Sequence, residues 1–453
     1  MAADLRSFLD QLDAHGLLAR IEREVDPATE AARLMWQLEL RGSAGWFTRV
    51  RGAEASLVYN LIGTRGALAL ALAVEPAEVR SRFRHALEHR IAPVLVDEAP
   101  VHEVIEAGDD VDLSRLPLVT HSEKDVGPYV TAGAVIARDP ETGRRNVSIN
   151  RMMLVGPRET GIRMMPPQQL GVIQARAEAR GVDLPVAVAI GLHPLDTLAA
   201  ATSLPTGEDE LELAGGLRGE PLRLVRAHSV DLEVPADAEI VIEGVIAAGV
   251  REPEGPFGDF LQFYVPEMPN HRLRVSAITH RRDPIYQTMI AGSREDVNLL
   301  GLSREAEIAA AVERTGALLV DAHLGPTILG CAISIEQRYP GEAKNVGVAA
   351  LGAYQWLKYC IVVDHDVDVS DLDDVWWAVT TRSSPERAIM IAAGAPAFPR
   401  DAHGIHGSRA VIDATIPFGE WSHYERRRPP GGPQLDLESW LPPASAGAGG
   451  RRR

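Results

Sequence analysis

Five apolar, β-branched runs lie between residues 129 and 300, and most of them are separated by turn signals rather than by helical segments. The runs are YVTAGAVIARD, NVSINRMMLVG, LPVAVAIGL, EIVIEGVIAAG and LRVSAITHR. Parallel strands need a crossover of about a dozen residues, whereas antiparallel strands need only a turn. The central part of the chain is therefore predicted to form an antiparallel sheet or barrel, interrupted by one helix over QLGVIQARAEARG.

Helices and strands alternate on both sides of this central part. Near the N-terminus the apolar residues of LRSFLDQL fall at i, i+3, i+4 and i+7, and Gly16 follows as a C-cap. From about residue 302 the alternation resumes, which is typical of an α/β unit with parallel strands. The predicted fold class is α/β (α+β multidomain), with an α/β domain over 1–115, a β domain over 116–301, a second α/β domain over 302–425 and a Pro/Gly/Arg-rich tail over 426–453.

Composition excludes two classes of partner. Asp and Glu number 63 against 46 Lys and Arg, so the formal net charge is −17 and the chain repels a nucleic-acid backbone. The basic clusters 426–428 and 451–453 lie in Pro/Gly-rich sequence and are predicted to be a solvated tail. No apolar run of about 18 residues and no signal peptide is found, so we expect no membrane partner and a cytoplasmic location. Cys331 and Cys360 lie in apolar, strand-like contexts and are expected to pack as small hydrophobes.

The segment PEGPFGDF at 253–260 places two carboxylates, Glu254 and Asp259, on either side of a Gly-Pro-Phe-Gly run. Glycine permits backbone angles that are closed to other residues and proline fixes one φ angle, so the segment is predicted to be a stiff turn. Such a turn can direct two acids toward one point. For this stretch alone an acidic surface loop is the preferred interpretation, because Asp and Glu are common in loops.

The segment NVSINR at 146–151 is predicted to be a strand on which Asn146, Ser148 and Asn150 share one face and Arg151 lies on the other. An arginine inside a barrel needs a partner, and its planar guanidinium suits a carboxylate or a phosphate. When this segment is considered alone, a structural salt bridge is the preferred explanation of Arg151.

Two further groups have the spacing of metal ligands. His85 and His89 lie four residues apart on one predicted helix, but arginines surround them and a solvated helix face is the preferred interpretation. Asp364, Asp366 and Asp368 alternate after a buried strand, yet the glycine and closing Glu of a calcium loop are missing. A structural acidic loop is therefore expected there.

Taken together, several motifs resemble the UbiD family of decarboxylases, in the same order along nearly the whole chain. They are NVSINR, PPQQLG, ATSLP, DELELAGGLRGEP, VPADAEIVIEG, EGPFGDF, VVDHDVDVSDLDDVWWAVTTR and SRAVIDAT. The combination of EGPFG with the Asp-rich VVD segment is the most specific part of the resemblance.

The resemblance implies a reversible, non-oxidative decarboxylase that uses prenylated FMN, a divalent metal, usually Mn²⁺, and K⁺. It also implies an N-terminal α/β domain, a central split β-barrel that binds the flavin, and a C-terminal α/β domain for dimerisation. A homodimer or higher homo-oligomer is expected, together with a separate flavin prenyltransferase that supplies the cofactor.

Site residues follow from the same resemblance, position by position. Arg151 matches the arginine that meets the substrate carboxylate, Glu254 the catalytic acid, and Asp259 the second acid of a Glu-Arg-acid network. The matches to metal-binding positions are Asn146 and Glu210. The matches to cofactor-binding positions are Asn146, Ser148, Ile149, Arg151, Gln168, Thr202, Ser203, Glu210 and Arg409.

Two positions depart from the family pattern. The family's metal-binding His is replaced by Gln169, whose neutral amide oxygen accepts hard cations but holds a borderline metal less tightly than imidazole does. Arg409 replaces a Lys that is often found near the phosphate, which keeps the positive charge and changes its geometry.

The implied mechanism gives Arg151 the substrate carboxylate and Glu254 the proton that replaces carbon dioxide. Phe260 and Phe263 follow the acidic turn, and Asn298 lies in a segment expected near the substrate, so an aromatic or heteroaromatic carboxylic acid is favoured. An α,β-unsaturated acid also fits the chemistry. Core packing explains both phenylalanines equally well. A catalytically silent UbiD-like subunit, or a homologue that uses plain FMN for other chemistry, remains open because of Gln169.

Overall fold

The computed structural model describes residues 3–164, 168–395, 398, 407–427, 430 and 440. Three groups of elements follow one another along the chain, and sheets of different topology lie in each. None of the helices in these ranges combines the length and apolar character needed to cross a bilayer.

The first group builds most of a four-stranded sheet in the order β1-β2-β3-β19, whose last strand, β19 (Ile285–Gln287), comes from far along the chain. Parallel pairing joins β1 to β2 and β3 to β19, and antiparallel pairing joins β2 to β3. The elements are α1 (Leu5–Ala14), β1 (Leu18–Ile21), α2 (Ala31–Leu40), β2 (Ala44–Phe47), β3 (Ser56–Tyr59), α3 (Arg65–Leu72), α4 (Val79–Glu88), β4 (Val94–Leu95) and β5 (Val104–Ala107).

The second group forms a ten-stranded sheet with the path β6-β9-β10-β18-β14-β11-β7-β8, to which β5 and β15 add at β18. All of its pairs are antiparallel, as the sequence predicts. The elements are β6 (Tyr129–Val130), β7 (Ala134–Arg138), β8 (Arg145–Ile149), β9 (Met152–Gly156), β10 (Glu159–Ile162), α5 (Gln169–Ala179), β11 (Leu184–Ile190), α6 (Pro194–Ala201), α7 (Glu210–Arg218), β12 (Arg223–Arg226), β13 (Glu233–Pro235), β14 (Ile240–Ile246), β15 (Glu252–Glu254), β16 (Phe257–Gly258), β17 (Tyr264–Val265), β18 (Met268–His280) and β19 (Ile285–Gln287).

The third group forms a five-stranded sheet in the order β20-β21-β22-β24-β23. The two inner pairings, β21 with β22 and β22 with β24, are parallel, and both edge pairings are antiparallel. The elements are α8 (Arg294–Arg314), β20 (Leu318–Leu324), β21 (Gly330–Glu336), α9 (Glu342–Ala353), β22 (Tyr359–Asp364), α10 (Leu372–Arg382), α11 (Pro385–Ala388), β23 (Ile389–Ala392), β24 (Arg409–Asp413) and α12 (Trp421–Tyr424).

The N-terminal helix follows its sequence pattern closely. Asp4 caps α1, because its carboxylate accepts the backbone N–H of Ser7 at 2.9 Å and the Ser7 hydroxyl reaches back to it. Phe8 and the three leucines of the predicted stripe are buried in a core shared with α6 and α7. The predicted amphipathic helix is confirmed.

Two helices of the central part were not expected from the sequence. Only α5 was predicted there, yet α6 and α7 also form and pack on each other. Residues 194–200 of α6 are all buried, so this helix has no exposed polar face. Its sequence therefore lacks the period that marks an amphipathic helix. Their burial against α4 and β8 explains why such short segments are helical.

Helix α8 ties the first and third groups of elements together and runs without a break through residue 301. In its first turn the buried Glu295 accepts the backbone N–H of Leu61 at 2.9 Å and that of Ile62 at 3.4 Å. Burial raises the pKa of Glu295 to about 7, and these N–H groups offset only part of that shift. The carboxyl therefore keeps its proton in the folded chain at pH values where the unfolded chain has lost it.

Substituting Glu295 by Gln should change how stability depends on pH. A raised folded-state pKa means that the unfolded state releases its proton first, so the free energy of unfolding falls as pH rises from about 4.5 to 7. As pH rises from 5 to 8, the free energy of unfolding of the Gln variant should increase by about 2–3 kcal/mol relative to that of the unsubstituted protein, as measured by urea unfolding. Glu307→Gln, an exposed position on the same helix, is the control, and a Glu295→Gln difference that is constant with pH would contradict the assignment.

Candidate active site

The predicted acidic turn links β15 to β16, and glycine is needed at two of its positions. Gly255 has φ +106°, in the left-handed region, and a Cβ there would lie 3.2 Å from the Pro266 carbonyl oxygen. A Cβ on Gly258 would lie 2.6 Å from the Ser122 hydroxyl oxygen. The turn therefore packs against two neighbouring segments, and this packing fixes the direction of the side chains that flank it.

Glu254 and Arg151 meet in a two-pronged ion pair. The Arg151 Nε donates to Glu254 Oε1 and Nη2 donates to Oε2, both at 3.1 Å. The Glu254 side chain is 1% exposed and that of Arg151 is 13% exposed. The two residues lie 103 positions apart in sequence, so the fold alone brings this pair together.

A third donor reaches the same carboxylate from β18. The Asn270 amide nitrogen donates to Glu254 Oε2, and the Asn270 carbonyl oxygen accepts Arg163 Nη1 at 3.1 Å. Asn270 is buried. Glu254 is thus held by two side chains from different segments, which restricts the carboxylate to one orientation.

Aromatic rings cover the arginine. The Arg151 guanidinium carbon lies 4.3 Å from the centroid of the Phe257 ring, and the Tyr129 ring packs 4.6 Å from that of Phe257. Burial raises the pKa of the Tyr129 phenol above its usual range, and the negative charge of Glu254 adds to the shift. The ion pair consequently lies in a region of low polarity, where each of its hydrogen bonds is stronger than in water.

Asp259, the second predicted acid, closes its own turn. Its Oδ1 accepts the backbone N–H of Leu261 at 3.2 Å, and its side chain is buried together with Asp296 of α8. Burial raises the pKa of Asp296 to about 6; the Gly292 N–H, donated at 2.7 Å, opposes this shift and the charge of Asp259 adds to it. The contact between Asp259 and Arg151 that completes the expected network stays a prediction.

Two of the predicted metal ligands are buried, Asn146 on strand β8 and Glu210 at the start of α7. Glu210 Oε2 accepts the Val147 backbone N–H at 2.9 Å, and burial raises the Glu210 pKa to about 7. The Asn146 amide nitrogen is buried without a hydrogen-bond partner in the described ranges. Gln169, at the start of α5, donates its amide N–H to the Leu204 carbonyl at 2.8 Å, which leaves its oxygen as the ligand atom.

These three side chains offer only oxygen donors, because an amide can present its carbonyl oxygen by rotation. Oxygen donors suit hard divalent cations, and a bound cation would compensate the buried charge of Glu210. The residues therefore fit a Mg²⁺- or Mn²⁺-type ion. Within the described part of the chain no cluster of three His, Cys, Asp or Glu side chains offers a metal site of another kind.

The remaining predicted cofactor residues have varied surroundings. The Ser148 hydroxyl donates to Asn150 Oδ1 at 2.8 Å and Ile149 packs partly on the core, while the Thr202 hydroxyl donates to the Leu198 carbonyl at 2.8 Å. Ser203 and Gln168 are exposed. Arg409 donates to the carbonyls of Leu351 and Gln355 at the end of α9. The roles of these residues at a cofactor stay predictions.

Comparison with known proteins agrees with this geometry. Three family models match successive parts of the chain: the 3-octaprenyl-4-hydroxybenzoate carboxy-lyase N-terminal domain at residues 9–87, its Rift-related domain at 94–294 and its C-terminal domain at 297–414. The chain belongs to the UbiD family. It is thus a carboxy-lyase of the UbiD type, with the multidomain α/β fold predicted from the sequence.

Three relatives show how far the likeness to other UbiD proteins extends. The chain is 34% identical over 434 residues to anhydromevalonate phosphate decarboxylase of Methanothermobacter thermautotrophicus, covering 93% of this chain and 99% of that protein. The UbiD-class enzyme HmfF of Pelotomaculum thermopropionicum, solved with FMN, superposes with a TM-score of 0.92 at 39% identity over 97% of this chain and 100% of the other. A 3,4-dihydroxybenzoic acid decarboxylase of Enterobacter cloacae gives 0.90 at 28% identity, over 96% and 98%.

The Asp-rich segment of this UbiD protein is structural. Arg382, with an almost fully buried side chain, binds Asp364 at 3.2 Å and Asp366 at 2.6 Å. Arg426 binds Asp374 at 2.7 Å and stacks on Trp377 at 4.0 Å. The expectation of a structural acidic loop is confirmed. The expectation that Arg426 belongs to a solvated tail is wrong, because helix α10, which is distant in sequence, offers it both a carboxylate and an aromatic face.

Several residues around the acids of this UbiD chain carry no recognisable signal in the sequence. Asn270, Tyr129 and Asp125 all contact the acidic turn or its arginine partner, and none lies in a motif that the spacing identifies. Asn270 sits on β18 opposite Glu252, two positions from Glu254. Strand register would have revealed it, but register depends on a pairing that is set by the fold.

Replacing Gly255 by Ala should reduce both stability and activity. A φ of +106° is unfavourable for alanine, and its Cβ would press on the Pro266 carbonyl oxygen. We therefore expect the free energy of unfolding, measured with urea, to fall by about 1–3 kcal/mol. Activity should fall as well, because the two acids that flank the turn would be displaced. Gly249→Ala is the matched control, since Gly249 has φ +70° with open space around its Cβ position. Equal stability and equal activity in the two variants would show that the turn is not constrained.

Proposed function

We propose that this protein is a reversible decarboxylase of an aromatic, heteroaromatic or α,β-unsaturated carboxylic acid that uses prenylated FMN. The observation that carries the proposal is the hydrogen bonding of the Arg151 guanidinium group. Glu254 occupies two of its nitrogens, Nε and Nη2, and no hydrogen bond joins Nη1 to any protein group in the described ranges. A fixed arginine with one remaining donor edge suits an anionic substrate.

In the proposed reaction Arg151 Nη1 binds the substrate carboxylate and aligns the bond to be broken. That carbon–carbon bond breaks, its electron pair stays with the substrate carbon, and carbon dioxide leaves. Glu254, once protonated, gives its proton to that carbon, and a proton from water restores it. Because Arg151 and Asn270 fix the Glu254 carboxyl, its proton can be delivered to one face of the substrate.

A flavin cofactor is supported by the solved relatives, of which one carries FMN and an evolved dimeric form of the same enzyme carries prFMN. When bound, prenylated FMN would supply an electron-accepting ring that stabilises the negative charge left on the substrate carbon. Asn146, Gln169 and Glu210 would hold Mn²⁺ at its phosphate, with K⁺ as a second cation. Supply by a flavin prenyltransferase is part of the proposal.

The substrate class is inferred from the residues after the acidic turn. Phe260 packs on Phe398 with 5.1 Å between ring centroids, and Phe398 packs on Trp356 at 4.8 Å. This aromatic wall favours a flat ring, whereas Phe263 is largely exposed and plays no such part. One relative acts on 3,4-dihydroxybenzoic acid and another on anhydromevalonate phosphate, so both aromatic and non-aromatic acids belong in a substrate panel.

Self-association is also proposed, as a homodimer or higher homo-oligomer. Exposed apolar side chains on α10 and on the edge strand β23 offer a surface for it, namely Leu372, Trp376, Ile389 and Ile391.

Substituting Glu254 by Gln tests the proton donor. The amide keeps the size of the side chain but cannot supply the proton, so carbon dioxide release should fall at least about 100-fold. Flavin absorbance should stay close to that of the unsubstituted protein, whereas the melting temperature should fall, because Arg151 loses its buried ionic partner. Glu252→Gln, two residues earlier on the same strand and exposed, should leave the rate unchanged. Near-normal turnover by Glu254→Gln would refute the assignment.

An absorbance spectrum of protein co-expressed with a flavin prenyltransferase separates the alternatives. It should be read beside assays of carbon dioxide release and of hydrogen/deuterium exchange on the acid panel. A prenylated-flavin band with turnover supports the proposal. A flavin band without turnover favours different chemistry on plain FMN, and no flavin band favours a subunit without its own activity.

A further inference from the structure

The loop 121–128 carries a carboxylate that the reaction as proposed above does not use. Asp125 Oδ1 accepts the backbone N–H of Gly258 at 2.8 Å, and its Oδ2 accepts that of Ser122 at 2.9 Å. Asp125 and Gly258 are 133 positions apart, so this is a contact between two separate segments. Burial raises the pKa of Asp125, while these N–H groups and the charge of Arg151 act in the opposite direction.

Two further contacts join the same loop to the acidic turn. The Val126 N–H donates to the Pro256 carbonyl at 3.2 Å, and the Lys124 N–H donates to the Tyr264 hydroxyl at 3.3 Å. The lack of a side chain at Gly258 also lets Ser122 pack closely against the turn. The loop 121–128 therefore packs against the acidic turn at residues 256 and 258, and against the neighbouring strand β17.

The acidic turn has little regular structure of its own to hold it. Strands β16 and β17 pair through only two residues each, Phe257 with Val265 and Gly258 with Tyr264. Gly258 lies between Phe257, which covers the Arg151 guanidinium, and Asp259. A fixed N–H at Gly258 consequently fixes the backbone on both sides, and with it the ring and the acid.

We propose that Asp125 is a positioning residue of the decarboxylation reaction, which holds the acidic turn through the Gly258 N–H. The inference rests on the proposed function, because the turn matters for catalysis only if Glu254 and Arg151 act as described. Asp125 acts through the turn and does not touch the reacting atoms.

The charges that face Asp125 come from more than one segment. Arg151 and Tyr129 on the central sheet are its electrostatic neighbours, and its other partners are backbone N–H groups of residues 121, 122 and 258. Substitution of Asp125 therefore removes hydrogen-bond acceptors first and one negative charge near Arg151 second. A variant that keeps one acceptor and loses the charge separates these effects.

Hydrogen-exchange mass spectrometry on the flavin-loaded full chain tests whether Asp125 restrains the acidic turn. Asp125→Ala removes both acceptors, and amides in the peptide covering 256–262 should exchange at least about tenfold faster. Asp125→Asn keeps one acceptor oxygen, and exchange there should rise at least about threefold. Asp183→Ala is the matched control, since Asp183 accepts the Ala248 N–H at 2.8 Å, and it should alter exchange near residue 248 only.

Kinetics with the panel acid turned over fastest by the unsubstituted protein test the catalytic consequence. Asp125→Ala should lower kcat at least about tenfold and Asp125→Asn at least about threefold, with KM within about threefold of normal, because Arg151 still binds the carboxylate. Asp183→Ala should keep both constants. If Asp125→Ala does not fold, the threefold criteria for Asp125→Asn decide alone.

Unchanged exchange at 256–262 in the Asp125 variants would overturn the proposal even if the protein is a decarboxylase. Faster exchange with unchanged kcat would overturn it as well, since the turn would then be loosened without effect. If no acid of the panel is turned over by the unsubstituted protein, the proposed function and with it the catalytic role of Asp125 fail. The exchange data would still show whether Asp125 holds the turn.

Discussion

The buried pair of Arg151 and Glu254 is the interaction on which the rest of the site depends. Removing either partner leaves an uncompensated charge in a region from which water is largely excluded, at a cost of about 3–5 kcal/mol. The two charges belong to segments 103 positions apart, so the central sheet has to form before they can meet. Asn270, Phe257 and the loop 121–128 then restrict how each partner is oriented.

The two partners of this pair are carried by different kinds of structure. Arg151 lies between β8 and β9, which belong near opposite ends of the path of the ten-stranded antiparallel sheet, whereas Glu254 ends a strand of three residues and precedes a glycine-containing turn. Such a turn is directed mainly by what packs against it. This explains why glycines are found at 255 and 258, where a Cβ would lie 3.2 Å from the Pro266 carbonyl oxygen and 2.6 Å from the Ser122 hydroxyl oxygen.

Much of the fold follows from local pattern. The antiparallel centre, the α/β flanks and the buried stripe of α1 were predicted because period and turn signals are properties of neighbouring residues. Helices α6 and α7 were not, because they are short and buried on nearly all sides. Arg426 was assigned to a solvated tail for a similar reason: its partners, Asp374 and Trp377, lie about 50 residues earlier in the chain.

The sequence by itself determined which residue types carry the chemistry: the acids of PEGPFGDF, the arginine of NVSINR and the family to which such motifs belong. The tertiary structure decided how they are held. In the folded chain Arg151 pairs with Glu254, and Asn270 donates to the same carboxylate. Tyr129 packs on Phe257, and Asp125 accepts the Gly258 N–H of the turn. The physical reason is that a hydrogen bond between distant segments leaves no periodic signal in either segment and exists only when strand register and loop packing bring its two atoms within about 3 Å.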